Sequence, residues 1–310
     1  MPDPQPDPAI AVAVPCYNEA AAIAAVIDAW RRSLPEAEIV VFDNNSTDGT
    51  GTIARELGVR VIEVPRQGKG HAVRAIFREF ADRDAIILVD GDGTYPAESA
   101  RELLEPILKG FADMTIGARR PIEGANAMSP VRGIGNILIR ATFAILIGEG
   151  PGDLLSGYRV FGGKAIRMLD LRSSGFEIEA EIACLATAKG LRIVEIAIPY
   201  YPRIEGTVSK LSAPRDGVRI VATIARLGLR TRPWIILGLF SLSFFALYLV
   251  FHKKSLLVGA AINAIVGLGS LIAIRSLGIG DRDRVDPSRT REDYPDDSTA
   301  ERLPDSHRIG

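Results

Sequence analysis

The run Ala85-Ile86-Ile87-Leu88-Val89 ends in Asp90-Gly91-Asp92-Gly93-Thr94. In extended backbone, residues two apart point to one side, so the carboxylates of Asp90 and Asp92 converge, and Gly91 leaves the chain between them open to a ligand. Two hard oxygen donors, with neither histidine nor thiolate beside them, suit Mg2+ or Mn2+ shared with a diphosphate. Earlier in the chain, Glu38–Phe42 runs into Asp43-Asn44-Asn45-Ser46-Thr47-Asp48-Gly49-Thr50. Such a turn can hold a base or ribose, and its residues are equally good turn formers and helix caps. Asp43 asks for more than a turn, because a carboxylate closing an apolar strand needs a partner.

Two nucleotide signatures are absent. Pro15-Cys16-Tyr17-Asn18-Glu19 follows the first apolar run without a glycine, so the GxGxxG fingerprint is missing where it would have to lie. Arg66-Gln67-Gly68-Lys69-Gly70-His71 contains Gly-Lys-Gly but not the GxxxxGK[ST] spacing, and it is not a Walker loop. A nicotinamide enzyme is thereby disfavoured.

These turns need a scaffold that delivers them to one edge. Strands are expected at Ile10–Val14, Glu38–Phe42, Val59–Val64, Ala85–Val89 and Met114–Gly117. Helices with apolar spacing near 3.6 are expected at Glu19–Ser33, Thr50–Leu57, His71–Phe80 and Ala97–Lys109. That alternation predicts a doubly wound α/β sheet whose ligands bind beyond the carboxyl ends of the strands. After Arg120 comes a Gly/Pro/Asn-rich connection, Pro121–Gly135, then an apolar helix over Ile137–Ile147 and a strand over Arg192–Pro199.

A formal net charge of −1 leaves no basic face for nucleic acid, and any anionic ligand must meet local cations. Cys16 and Cys184 form no CxxC pair and read as small buried side chains. Met1–Pro8 alternates Pro and Asp without a basic start or apolar run, unlike a signal peptide, and residues 1–9 read as a disordered N-terminus.

Arg215–Arg232 interleaves arginines with Val218, Ile220, Val221, Ile224 and Leu227, which suits a helix lying on a membrane surface. The uncharged runs Trp234–Phe251 and Leu256–Ile274 are each long enough to span a bilayer as a hairpin. Arg226, Arg230 and Arg232 before the pair, and Arg275, Arg282 and Arg284 after it, put both ends on the cytoplasmic side, against the opposing pull of Lys253 and Lys254 in the turn. The expected organisation is a catalytic domain over 10–211, a surface helix over 212–232, two transmembrane helices over 233–275 and a disordered charged tail over 276–310, with the domain and tail cytoplasmic.

The Pro-Cys-Tyr-Asn-Glu start, the Asp43–Thr50 turn, the Gly-Lys-Gly segment and the Asp-Gly-Asp pair together resemble family-2 glycosyltransferases, and within them the dolichol-phosphate mannose and glucose synthase group. The likeness extends through Gly117–Arg120, Asp153–Arg159, Phe176–Glu179 and Arg203–Lys210. It implies a GT-A fold, a mixed sheet that takes a nucleotide diphosphate sugar, UDP- or GDP-linked, on Mg2+ or Mn2+. By the same resemblance Pro15, Tyr17, Glu19, Asp43, Lys69 and Asp90 surround the nucleotide, Asp90 and Asp92 hold the metal, and Arg119 approaches the donor phosphates. Thr94 stands where mannose synthases of the group commonly carry Gln.

Transfer with inversion is an in-line displacement in which a metal and an arginine neutralise the departing diphosphate. A hydroxyl acceptor needs a carboxylate base, for which Asp153 and Glu179 are candidates; a phosphate acceptor is already ionised. Arg159, Arg203, Ser209 and Lys210 are the candidates for holding an acceptor phosphate. A polyprenyl phosphate at the bilayer is the leading expectation, with a sugar or lipid hydroxyl, or a silent membrane scaffold, as alternatives.

Overall fold

The computed structural model describes residues 9–122, 130–210, 212–232 and 234–251, with positions 261, 263–265 and 268. Its strands are β1 (Ile10–Cys16), β2 (Glu38–Asp43), β3 (Arg60–Glu63), β4 (Ala85–Leu88), β5 (Met114–Pro121), β6 (Arg159–Gly162) and β7 (Ile193–Tyr200). Its helices are α1 (Ile23–Ser33), α2 (Thr50–Glu56), α3 (Lys69–Glu79), α4 (Ala100–Leu108), α5 (Pro130–Leu146), α6 (Gly163–Met168), α7 (Ile178–Ala188), α8 (Ala213–Thr231) and α9 (Trp234–Phe251). The strands form one sheet in the order β3-β2-β1-β4-β6-β5-β7. All neighbours pair in parallel except β6, which runs antiparallel to both β4 and β5 and makes the sheet mixed.

The central strands are apolar on both faces because helices cover both. Ala13, Val40 and Leu88 are cross-strand partners and point with Phe42 and Phe161 toward α3, α6 and α7. Val12, Val14, Val41 and Ile87 alternate to the other face, against Ile27 and Trp30 of α1 and Leu103 of α4. A third cluster joins Ile139 and Phe143 of α5, Cys184 of α7, and Ile220, Ile224 and Leu227 of α8. It seats the basic helix on the catalytic layer. Both cysteines are buried thiols.

Several elements differ from the sequence expectation, three of them with a clear physical reason. Helix α1 begins at Ile23, not Glu19, because Asn18 adopts a left-handed φ of 53° and the Glu19 N–H is taken by the Thr50 hydroxyl at 2.9 Å. Helix α5 begins at Pro130, seven residues before the expected start; proline is compatible with a first helical turn, which lacks the i−4 partner anyway. Strand β6 was not expected, since four residues after Ser-Gly-Tyr carry too little alternation to announce a strand.

Helix α8 buries Ile220, Ile224 and Leu227 and exposes Arg215, Arg219, Arg226 and Arg230 beside Val218, which is 71% exposed. Helix α9 follows as 18 residues without a charged side chain. Among the described residues, no helix is long and apolar enough to cross a membrane. The second expected span, Leu256–Ile274, and the tail lie for the most part outside the described residues.

Candidate active site

The strand order reverses beside β1: the chain moves outward through β2 and β3, then returns to place β4 on the other side. Such a reversal opens a crevice at the carboxyl ends of the strands. A cavity of about 290 Å³ lies there, and Pro15, Tyr17, Glu19, Lys69, Asp90, Asp92, Arg119, Glu179, Arg203 and Lys210 all line it. Residues from six separate segments, up to 195 positions apart, thus meet at one edge.

Asp92 is 3% exposed, and both its oxygens are engaged. Oδ1 accepts from the Thr94 amide at 3.1 Å and hydroxyl at 2.6 Å, while Oδ2 meets Arg203 Nη1 at 2.5 Å. Asp90 Oδ1 lies 2.6 Å from Lys69 Nζ, which also pairs with Glu179. Burial pushes the Asp90 carboxyl up to about 6, with Lys69 opposing the rise and the nearby Asp92 charge adding to it. The same two carboxylates hold the Lys69 ammonium well above its ordinary value despite burial. Gly157 faces Asp90 so closely that a Cβ there would stand 2.3 Å from Oδ2.

Among the described residues no third acidic, histidine or cysteine side chain joins the pair to make a closed metal cage. Two carboxylates at an open cavity nevertheless fit a magnesium- or manganese-like ion, which commonly takes only one or two protein carboxylates and completes its shell with substrate phosphates and water. Gly91 lines the cavity and is confined on its other side as well. A Cβ there would fall 2.5 Å from Cys16 Sγ, so the glycine lets the ends of β1 and β4 press together.

Arg119 extends from β5 into the same cavity. Asp153 accepts its main-chain N–H at 3.1 Å, Nε at 2.8 Å and Nη2 at 2.7 Å, and the guanidinium sits 5.5 Å from the centre of the Tyr200 ring. Burial would raise the Asp153 carboxyl, but the hydrogen bonds from Arg119 outweigh it and hold the group below the usual carboxylate range. The Asp153 N–H is itself fixed by Glu195 Oε1 at 2.8 Å. Asp153 thus meets Arg119 through three hydrogen bonds and is not among the residues lining the cavity. Glu179, the other candidate base, is spoken for by Lys69.

On the nucleotide side, Asp43 turns its Oδ1 to the Ser46 N–H at 3.0 Å and does not line the cavity, whereas its neighbour Asn44 does. Lys210 Nζ reaches Glu19 Oε1 at 2.6 Å and the Asn18 carbonyl at 2.8 Å. Burial raises the Glu19 carboxyl, against the opposing pull of Lys210, and its Oε2 is buried without a hydrogen-bond partner in the structure.

Arg159 is completely buried, donating to the carbonyls of Ser156 at 3.0 Å and Leu154 at 2.7 Å. It does not line the cavity. The expectation that it holds an acceptor phosphate is corrected: its place is under the 154–158 turn, whose carbonyls it fixes. Ser209 is exposed and likewise outside the cavity lining.

Sequence reasoning missed Gln67, Tyr95, Leu155, Phe176 and Tyr200, all in the lining. Tyr95, two residues beyond Gly93, had a positional signal: its hydroxyl accepts the Gly157 N–H at 2.7 Å, tying the Asp90–Asp92 loop to the turn opposite.

Comparison with known proteins decides what this edge belongs to. Residues 11–143 match Glycosyl transferase family 2. The dolichyl-phosphate hexose transferase of Haloferax volcanii is 32% identical over 72% of this chain and 95% of its own length. The chain belongs to glycosyl transferase family 2. A second family-2 relative, the undecaprenyl-phosphate mannosyltransferase of Micrococcus luteus, is 30% identical over 71% of this chain and 93% of its own. Among solved structures, glucosyl-3-phosphoglycerate synthase from Mycobacterium tuberculosis, in complex with Mn2+, UDP-glucose and phosphoglyceric acid, superimposes with a TM-score of 0.56. It covers 72% of this chain and 80% of that one at 20% identity, a likeness of fold. The mixed α/β sheet of the present glycosyltransferase is thus the GT-A-like one that its motifs implied.

Proposed function

We propose that this glycosyltransferase moves a hexose from a nucleoside diphosphate sugar onto a polyprenyl phosphate at the surface of a membrane, with inversion. The observation that carries the reading is the joining of two features in one short stretch. Arg203 and Lys210 enter the cavity holding Asp90 and Asp92, and the same stretch leads directly into the arginine-lined α8 and the uncharged α9. Both sequence relatives, a dolichyl-phosphate hexose transferase and an undecaprenyl-phosphate mannosyltransferase, support a lipid phosphate as the acceptor.

Asp90 and Asp92 would hold Mg2+ or Mn2+, which when bound neutralises charge on the departing diphosphate. Arg119, kept rigid by Asp153 and Tyr200, is directed at the same leaving group. Tyr17, Pro15 and Asn44 provide the nucleotide wall. An oxygen of the acceptor phosphate attacks the anomeric carbon, the bond from that carbon to the diphosphate oxygen breaks, and UDP or GDP leaves with the electron pair. No proton has to be removed from a phosphate nucleophile, which agrees with a cavity where Asp90, Asp92, Glu179 and Glu19 each face a cation.

Anchoring belongs to the same proposal. The exposed arginine side of α8 would rest on headgroups, with α9 and Leu256–Ile274 entering the bilayer and the catalytic domain cytoplasmic. A second reading, transfer to a hydroxyl, is favoured by one observation: the unpartnered Glu19 Oε2, on a carboxyl with a raised pKa, has the character of a base. Purified protein with UDP- and GDP-sugars, Mn2+ and paired acceptors, polyprenyl phosphate against polyprenol, separates the readings. Chelator-sensitive product on the phosphate alone is expected; product on the alcohol at equal rate would overturn the proposal.

A further inference from the structure

The two cations assigned to the acceptor are not waiting for it. Arg203 is paired with Asp92 and Lys210 with Glu19, so both are held by carboxylates on the donor side of the cavity. The segment between them is fastened at several points. The Tyr201 N–H donates to the Thr94 carbonyl at 3.0 Å, and the side chain of Ile204 fills the space that a Cβ on Gly93 would occupy, with Cδ1 2.5 Å from that point. Residues 201–210 therefore lie as a strap across the loop that carries Asp90 and Asp92.

The two ion pairs differ in what a loaded donor does to them. Asp92 is 3% exposed and its second oxygen is filled by Thr94, so among the described residues Arg203 is the cation paired with it. A divalent ion held by Asp92 would supply that charge in place of Arg203 and repel the guanidinium. Lys69, by contrast, keeps Glu179 as a partner if an ion takes Asp90. Lys210 keeps both Glu19 and the Asn18 carbonyl. Among the described residues Arg203 forms no second ion pair, although the Glu19 carboxyl lies close enough to feel its charge, and its side chain is one-third exposed at the cavity mouth.

We infer that Arg203 couples the two substrate sites: it caps Asp92 in the empty protein and is freed for the acceptor phosphate only when a metal–nucleotide complex occupies Asp92. The inference rests on the proposed phosphate acceptor. It gives binding a preferred order, donor before acceptor, and linkage requires the reverse effect to be equal, so bound acceptor tightens metal–nucleotide by the same factor. Without donor, an acceptor phosphate can recruit Arg203 only by leaving a buried carboxylate with no counter-charge.

The test measures binding, not turnover. Farnesyl phosphate in detergent micelles is titrated onto the full-length protein, alone and with Mn2+ plus UDP or GDP, which gives a donor site filled but unable to transfer. The expected result is tighter binding with Mn2+–nucleotide, by about 5- to 150-fold. Asp92→Asn removes the charge that holds Arg203 with almost no change in volume. Its metal-free form should therefore bind farnesyl phosphate more tightly than the metal-free wild type, and added Mn2+–nucleotide should no longer matter. Arg203→Gln, at the cavity mouth, should bind farnesyl phosphate weakly in both states while still binding Mn2+–nucleotide. Equal wild-type affinity with and without Mn2+–nucleotide, or an Asp92→Asn protein whose metal-free affinity is unchanged or lower, overturns the coupling. Farnesol bound as tightly as farnesyl phosphate would instead remove the phosphate acceptor itself.

Discussion

Asp153→Asn tests whether the Arg119–Asp153 unit orients or catalyses. Asp153 collects three N–H groups from Arg119 at 2.7 to 3.1 Å, with the two side chains 28% and 18% exposed. Asparagine keeps one acceptor oxygen but turns an NH2 toward the guanidinium, so at least one charge-assisted hydrogen bond is lost. A bond of that kind contributes about 1.5 to 3 kcal/mol, and partial solvent screening favours about 2. At roughly 2 to 4 °C per kcal/mol for a domain of this size, Tm should fall by about 4 to 8 °C. Arg119 loses its fixed direction, and a displacement of about 1 Å at a reacting centre lowers kcat by roughly 100-fold. Donor and acceptor KM should move far less than kcat. The sign of the pH effect follows from the lowered Asp153 carboxyl: the ion pair is intact above the ordinary carboxylate pKa and is lost only as pH falls through the lower folded value. From pH 6 to 9, wild type and variant should therefore differ by a constant factor. Thermal melting and steady-state kinetics check these outcomes. A variant with unchanged Tm whose lost activity returns on adding formate would show that Asp153 acts as a base, and would refute the orienting role.

Gly157→Ala should push the Asp90 carboxylate out of place, because the new Cβ would stand 2.3 Å from its Oδ2. A metal titration of activity should then need about tenfold more Mn2+, with the fold intact by circular dichroism; unchanged metal demand would remove Asp90 from that site. Asp113, 4% exposed, is held below the usual carboxylate range because hydrogen bonds from Arg192 and Lys164 outweigh its burial. Its contribution to stability, about 2 kcal/mol, is present above the ordinary carboxylate pKa and disappears as pH falls through the lower folded value. Denaturant titrations should accordingly find Asp113→Asn less stable than wild type at pH 7, and the gap closing toward pH 2; a gap that persists there would disprove the electrostatic origin.

How much of this was legible depends on whether the cause is local. Asp90 and Asp92 were readable because a strand's two-residue period and its abrupt end are properties of ten adjacent residues. The five early strands were readable for the same reason: β-branched runs bounded by turns mark themselves. Residues 159–162 were not, since β6 is a strand by virtue of its antiparallel neighbours β4 and β5 more than by its own four residues. Arg159 shows the opposite error. An arginine after Ser-Gly-Tyr looks free to meet a phosphate, and only the fold reveals that its hydrogen bonds close back on residues three and five positions earlier.

The site's electrostatics were the least legible part. Each cavity carboxylate was visible as a possible ligand or base, but its chemical character is set by a cation that the sequence puts far away: Lys69 for Glu179, 110 residues on, and Lys210 for Glu19, 191 residues back. Nothing in local spacing selects those partners. The pairing nonetheless follows a physical rule, because a buried carboxylate without a counter-charge is expensive and a chain rich in both signs will supply one. Arg203 lies 111 residues from Asp92, and their contact ties a carboxylate read as a metal ligand to a cation read as an acceptor holder. Motif reading assigned the two residues to separate tasks. Their contact is what the proposed coupling rests on: if those tasks hold, the charge of whatever occupies Asp92 also sets whether Arg203 is available to a second anion.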